Sequence, residues 1–329
     1  MREVTIDIGT LALDDGTLLH HVQQRVTIYG SPSEARDNFV LVSHALTGSS
    51  RAAEWWPGIV GEGGLFDPTR WCIIGINALG SCYGSTWAPR VSVADMVRAQ
   101  TRALDELGIE ELAFVIGGSL GGMQALQWAL DAPERIGHAI VVGAHDHHSA
   151  MGIALNAIQR ECLELDPVRG LRTARKLAML TYKSEELFNA RHGRRRDRND
   201  SSRFDVEGYL DLQADRFTGR MDARTYATLT HAMDSFDVRG RARDGRRITF
   251  VGISSDLLFR PQDVRAAALA LGSDYAELET DHGHDAFLAE SKDLAGLLAG
   301  VVFELRPIGD HVERAVLLDR HFEIDKKLT

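Results

Sequence analysis

The stretch Gly117-Gly118-Ser119-Leu120-Gly121-Gly122 limits what this chain can fold into more than any other segment. It follows Leu112-Ala113-Phe114-Val115-Ile116, an apolar run that reads as a buried strand, and runs into Met123-Gln124-Ala125-Leu126-Gln127-Trp128-Ala129-Leu130, which reads as a helix. A serine between glycines at a strand-to-helix turn has the form of a nucleophile elbow. The turn forces Ser119 into a strained backbone conformation, and the glycines let strand and helix approach closely enough to hold it there. Its hydroxyl then stands clear of the sheet edge. A phosphate loop is the rival reading of such a turn, but no Gly-Lys-Ser/Thr follows and the GxGxxG spacing is absent.

A chain of 329 residues exceeds the usual single domain, so one core carrying a subdomain is expected. The net charge of −10 argues against nucleic acid as a main partner, because such proteins carry a basic face. Cys72, Cys82 and Cys162 are too few, and odd in number, for a disulfide framework, which points to a reducing compartment. Met1-Arg2-Glu3-Val4-Thr5-Ile6-Asp7 alternates like a strand and does not resemble a signal peptide, and no run approaches the ~18 apolar residues of a membrane helix. A cytoplasmic protein without a membrane partner is the expectation.

Strand-like runs recur at 4–8, 20–28, 38–43, 71–76, 112–116, 138–143, 247–253 and 274–279, with helix-period segments at 92–107 and 120–131. That alternation builds a mostly parallel sheet, with the first two strands as an antiparallel edge because no helix separates them. Between about 145 and 240 the alternation breaks, and helical patterns at 149–163, 170–180, 205–217 and 222–233 replace it. The predicted architecture is a core of residues 1–144 and 241–329, with residues 145–240 inserted as a helical lid over the carboxyl edge of the sheet. The charged run from Arg191 to Asp200 reads as a solvated loop, with attraction of an anionic cofactor phosphate as the alternative. The tail after Ile324 is expected to fray.

A serine hydroxyl needs a base, and the base needs an acid to orient it. In this topology the partners follow in the order Ser, Asp/Glu, His, from loops after later strands. Asp256 ends the strand Ile248–Ile253, and His284 lies in the loop Asp281-His282-Gly283-His284-Asp285. His284, flanked by Gly283 and opening a helix at Ala286-Phe287-Leu288, is preferred to His282; Asp256 is preferred to Asp263, which a helix start at Pro261 explains as a cap. The oxyanion donors are assigned to backbone N–H groups, one from Leu120 and one from the loop His44-Ala45-Leu46-Thr47-Gly48, taken at Leu46. His44 reads as a structural histidine positioning that loop rather than as a second base. Ala144-His145-Asp146-His147-His148 admits a metal reading, but residues that line the pocket at the lid entry are the preferred one, and no metal is expected.

With these residues in hand, the chain resembles the homoserine O-acetyltransferase family of α/β-hydrolase-fold acyltransferases. The resemblance is carried by His44-Ala45-Leu46-Thr47-Gly48-Ser49, Trp55-Trp56, Asn77 through Thr86, Asp95 through Gln100, the elbow through Leu126, and Gly283-His284-Asp285-Ala286-Phe287-Leu288. In the lid, Gly170 through Arg175, Leu180-Thr181-Tyr182, Tyr209-Leu210 and His231-Ala232-Met233-Asp234 are similar too. The match extends from about residue 5 to residue 300.

The resemblance implies an α/β-hydrolase fold with an eight-stranded, mostly parallel sheet, helices on both faces and an inserted helical lid. It also implies ping-pong transfer of an acetyl group from acetyl-CoA, through Ser119, to the hydroxyl of L-homoserine for methionine synthesis, with no permanently bound cofactor. By motif, Arg175 binds the acceptor's carboxylate and Asp285 its ammonium group, and the protein is a homodimer joined through lid helices. A zwitterionic acceptor needs one fixed cation and one fixed anion, and arginine offers carboxylate a fork. Two departures bear on the acceptor: the loop after Thr86 is short, and so is the lid after Asp166-Pro167. L-Serine or another hydroxylated acceptor, or water in an esterase or thioesterase, are therefore the alternatives. Succinyl-using members tend to carry arginine two residues after the catalytic aspartate; Leu258 stands there, which favours acetyl-CoA.

Overall fold

The computed structural model describes residues 1–241 and 247–304; the predicted frayed tail and part of the predicted core range 241–329 lie outside the described residues. Numbered along the chain, one sheet runs in the order β1 (Arg2–Asp7), β4 (Gln23–Tyr29), β6 (Cys72–Ile76), β5 (Phe39–Ser43), β7 (Leu112–Gly118), β8 (Ile136–Val142), β9 (Ile248–Ile253), β10 (Asp274–Leu278). β4 pairs antiparallel with both β1 and β6, and every pair from β6 to β10 is parallel. A small hairpin, β2 (Leu11–Ala12) with β3 (Leu18–Leu19), fills the connection between the two antiparallel strands, and the predicted strand at 20–28 begins only after it, at Gln23.

Period-two alternation sorts the apolar side chains onto two faces. Leu41, Ile74, Val115, Val141 and Phe250 point into one cluster, under α2 (Val93–Glu106), α3 (Leu120–Asp131) and α9 (Pro261–Ala270). Val40, Val42, Phe114, Ile116, Ile140 and Val251 point into the other, under α1 (Ala52–Trp55), α10 (Ala286–Ala289) and α11 (Ser291–Glu304). Central strands covered on both sides explain why β5 and β6 are apolar runs and not alternating ones.

Among the described residues, five helices come between β8 and β9: α4 (Ala150–Leu165), α5 (Pro167–Tyr182), α6 (Glu185–Arg191), α7 (Asp205–Thr218) and α8 (Ala223–Asp234). The sequence reading started α5 at residue 170, but the helix begins at Pro167. Asp166 accepts hydrogen bonds from the Val168 and Arg169 N–H groups, and Pro167 occupies the first turn, where its missing N–H costs nothing. α6, which periodicity did not reveal, is capped by Ser184 through the Leu187 N–H. The charged run after it is mostly exposed, as a solvated loop should be, with local anchors: the Arg194 and Arg196 guanidinium groups lie over the Phe204 ring, and buried His192 bonds Asp205 through Nδ1 at 2.7 Å.

Candidate active site

Ser119 joins β7 to α3 with φ +57 and ψ −124, a left-handed conformation that costs a non-glycine residue about 1–3 kcal/mol and persists only where its surroundings enforce it. Those surroundings are crowded: a Cβ on Gly117 would fall on the backbone of Gly121, and a Cβ on Gly121 would fall on the Ser43 carbonyl. The first turn of α3 is thereby pressed against the end of β5, where the His44–Gly48 loop begins. The Ser119 N–H donates to Val142 O at 2.9 Å, tying the elbow to the end of β8.

Asp256 lies in the turn after β9, its carboxylate buried. One oxygen, Oδ1, accepts the N–H groups of Leu258 (2.8 Å) and Phe259 (2.9 Å), and Oδ2 bonds His284 Nδ1 at 2.6 Å. His284 follows β10 in a short helical turn, Gly283–Asp285. Its ring stacks on Phe259 (5.3 Å between centroids), meets Phe287 edge-on and lies 5.8 Å from Tyr182. A Cβ on Gly143, the residue after Val142, would sit 3.4 Å from its Cε1, which places the imidazole beside the elbow. Nε2 is buried and, among the described residues, has no hydrogen-bond partner, so it remains for the serine or a reacting group. Such catalytic bonds commonly close only when substrate is in place. Burial opposes the imidazolium of His284, but the adjacent Asp256, by charge and by hydrogen bond, outweighs it and holds the pKa above the ordinary histidine value.

The two rival residues are committed elsewhere. His282 bonds Glu290 through Nδ1 and meets Arg191 at Nε2, and Asp263 pairs with Arg260 at 2.8 Å in the first turn of α9. In the loop after β5, His44 Nδ1 donates to the Ala45 carbonyl (2.8 Å), while Nε2 accepts the Ala78 N–H (2.9 Å). Burial pushes its pKa down to about 4, so the ring is neutral at physiological pH. Among the described residues no hydrogen bond uses the N–H of Leu46 or Leu120.

Arg175, on α5, is buried, and among the described residues it forms no ion pair; Nε lacks any hydrogen-bond partner. Its guanidinium lies over Tyr182 (5.3 Å) and Phe217 (4.9 Å), one aromatic ring from His284. A buried guanidinium without an anion is costly to maintain, and an incoming carboxylate relieves that cost. Asp285, expected to meet the acceptor's ammonium group, already has a cation beside it: Lys183 Nζ lies 3.1 Å from its Oδ2. Sequence reasoning missed Lys183, Tyr182 as a ring between Arg175 and His284, and Phe259 as the plate under His284. The nearest signal was the Leu180-Thr181-Tyr182 block, which ends one residue before Lys183.

His145, Asp146 and His147 bring potential ligand atoms within 4.8 Å of one another; His147 Nδ1 bonds Asp146 at 2.8 Å, and buried His145, whose Nδ1 lies 3.5 Å from Asp146 Oδ1, makes no ring hydrogen bond among the described residues. All three belong to one tripeptide, so a cation held there would cross-link nothing.

Residues 38–291 match the model of the α/β-hydrolase fold family. A homoserine O-acetyltransferase of Thermus thermophilus is 38% identical over 86% of this chain and 86% of its own length. The same enzyme of Acidiphilium cryptum is 36% identical over 89% and 92%, and a homoserine O-succinyltransferase of Aromatoleum aromaticum is 36% identical over 88% and 92%. Among solved structures, the homoserine O-acetyltransferase of Staphylococcus aureus superposes with a TM-score of 0.80 at 26% identity, covering 96% of this chain and 99% of that one. Esterase E22, at 21% identity and a TM-score of 0.81, shares the fold. With the elbow, the strand order and these likenesses together, the chain belongs to the homoserine O-acetyltransferase family of the α/β-hydrolase fold.

Proposed function

We propose that this chain is a homoserine O-acetyltransferase working through an acetyl-Ser119 intermediate. The observation that carries the reading is a buried Asp256–His284 pair beside the elbow, with the Arg175 guanidinium, which has no ion-pair partner among the described residues, one ring away. His284 Nε2 takes the Ser119 proton as Oγ attacks the thioester carbon of acetyl-CoA, and the Leu46 and Leu120 N–H groups receive the oxyanion. On collapse the C–S bond breaks, and the departing thiolate takes the proton from the imidazolium. His284 then deprotonates the acceptor hydroxyl, which attacks the acetyl-serine; the bond to Oγ breaks and Ser119 recovers its proton.

Arg175 fixes the acceptor carboxylate, and Asp285, shared with Lys183, faces the ammonium group. Both orient the hydroxyl so that transfer outruns hydrolysis. Leu258 offers no partner to a succinyl carboxylate, which supports acetyl-CoA as donor. Helices α4–α8 serve as the lid and as the homodimer contact, and the enzyme works in the cytoplasm with no permanent cofactor; no helix of the described residues is long and apolar enough to cross a membrane.

Thiol release from acetyl-CoA, followed with homoserine, with serine, with no acceptor, and with succinyl-CoA as donor, tests the reading. Release that needs homoserine supports it. Acceptor-independent release marks a hydrolase, and dependence on serine alone overturns the acceptor. Ser119→Ala abolishes all turnover if the intermediate is covalent.

A further inference from the structure

The buried polar groups behind the elbow form a single hydrogen-bond chain whose direction is set at one end. The Trp128 indole N–H, which can only donate, bonds Gln100 Oε1 at 2.8 Å. Gln100 must then donate through Nε2, and it does so to Gln124 Oε1 at 2.7 Å. Gln124 Nε2 is left as the donor, and it bonds two backbone carbonyls, Leu120 (3.2 Å) and His44 (3.3 Å). Trp128, Gln100, Gln124 and Leu120 are fully buried and His44 almost so. In such surroundings each bond is costly to leave unmade, so the polarity is enforced along the chain.

The two carbonyls belong to the two segments that carry the oxyanion donors. In the 44–48 loop the His44 ring completes the arrangement: Nδ1–H and the Gly48 N–H both donate to the Ala45 carbonyl, at 2.8 and 2.9 Å. That carbonyl shares a planar trans peptide with the Leu46 N–H, which therefore points the opposite way. At the elbow the Ser119 carbonyl accepts the Met123 N–H at 3.0 Å, so the Leu120 N–H points out of the amino end of α3.

We infer that His44, anchored by the Trp128–Gln100–Gln124 chain, is the positioning residue that aims the Leu46 N–H at the developing oxyanion. Gln124 locks this donor's loop to the turn that carries the other donor. The inference rests on the proposed reading of Ser119 as the nucleophile. His44 touches no substrate in this role; it acts through a peptide plane.

The test compares wild type with His44→Phe, His44→Asn, Gln124→Met and Trp128→Phe in three measurements: single-turnover thiol release from acetyl-CoA, affinity for a boronic acid that forms a tetrahedral adduct on serine, and thermal melting. His44→Phe should slow acylation and weaken the boronate by about 100-fold, the loss expected for one misplaced oxyanion donor, with KM for acetyl-CoA little changed. His44→Asn, whose side-chain N–H can replace Nδ1–H, should recover most of both losses, and Gln124→Met and Trp128→Phe should show smaller parallel losses. Acylation and boronate affinity within threefold of wild type in a normally melting variant overturn the inference, as does slowed acylation with unchanged boronate affinity. If His44→Phe does not fold, the Gln124 and Trp128 variants carry the test. A wild-type protein that binds boronate but releases no thiol from acetyl-CoA refutes the proposed function and leaves the boronate comparison to judge His44.

Discussion

Replacing Asp256 by asparagine leaves the shape of the site intact and reverses the tautomer of its base. The Leu258 and Phe259 N–H groups both donate to Oδ1, so the asparagine must keep its carbonyl oxygen there and turn its NH2 toward His284. Nδ1 of the ring then has to accept, and the proton moves to Nε2, the atom that should take the Ser119 proton. Loss of the charge-assisted Asp256–His284 bond removes about 1.5–3 kcal/mol, and restoring the working tautomer sets two buried donors against each other for roughly 1–3 kcal/mol more. The sum, roughly 4 kcal/mol, corresponds to about a thousandfold in rate at ~1.36 kcal/mol per decade. Single-turnover thiol release measures it. The wild-type acylation rate should rise with pH through an apparent pKa above the ordinary 6.5, because neutral His284 is the active form and the carboxylate favours the protonated one. In Asp256→Asn that limb should move to lower pH, with the melting temperature near that of wild type. An acylation rate within tenfold of wild type, with the pH limb unmoved, would refute the tautomer argument.

Arg175→Ala should raise KM for the amino-acid acceptor by about 100-fold, the loss of a charge-assisted fork, while leaving acylation by acetyl-CoA unchanged; an unaltered acceptor KM refutes its assignment. Lys183→Met frees Asp285 from its ion pair, so KM for an acceptor carrying an ammonium group should fall severalfold; a rise would show that Lys183 itself assists binding. Burial holds His44, His138 and His148 at pKa values of about 4, against about 6.5 in the unfolded chain. The unfolded state therefore binds the extra protons, and stability present above pH 6.5 drains away as pH falls toward 4, by about 2 kcal/mol per histidine at pH 5. Urea titrations at pH 7 and pH 5 should show the loss, and His138→Gln, remote from the site, should remove one share of the pH dependence; an equal dependence in that variant counts against the buried-neutral assignment.

Much of this protein was legible along the chain because the relevant signals are local. An apolar strand, a glycine-flanked serine and a helix write the elbow in one continuous segment, and the runs at β5 and β6 state their burial on both faces. The order Ser119, Asp256, His284 follows from the same topology. The hairpin of β2 and β3 was not legible, since two-residue strands leave no periodicity, nor was α6, whose charged sequence Glu185–Arg191 has no apolar stripe.

Pairing across long sequence separations left still less trace. Nothing near Lys183 announces Asp285, and nothing in Gln100 or Gln124 announces Trp128 or the His44 carbonyl, because hydrogen-bond direction depends on which donors packing brings within about 3 Å. The sequence by itself determined the fold class and singled out Ser119, Asp256 and His284 as the candidate nucleophile and its activating pair. Tertiary structure alone decided that His282 is spent on Glu290 while His284 meets Asp256, that Arg175 is buried with no anion beside it among the described residues, and that Asp285 already has a cation. Composition and spacing specify which groups a chain owns; only the packed interior, where each unpaired polar group is costly, decides which of them remain available to a substrate.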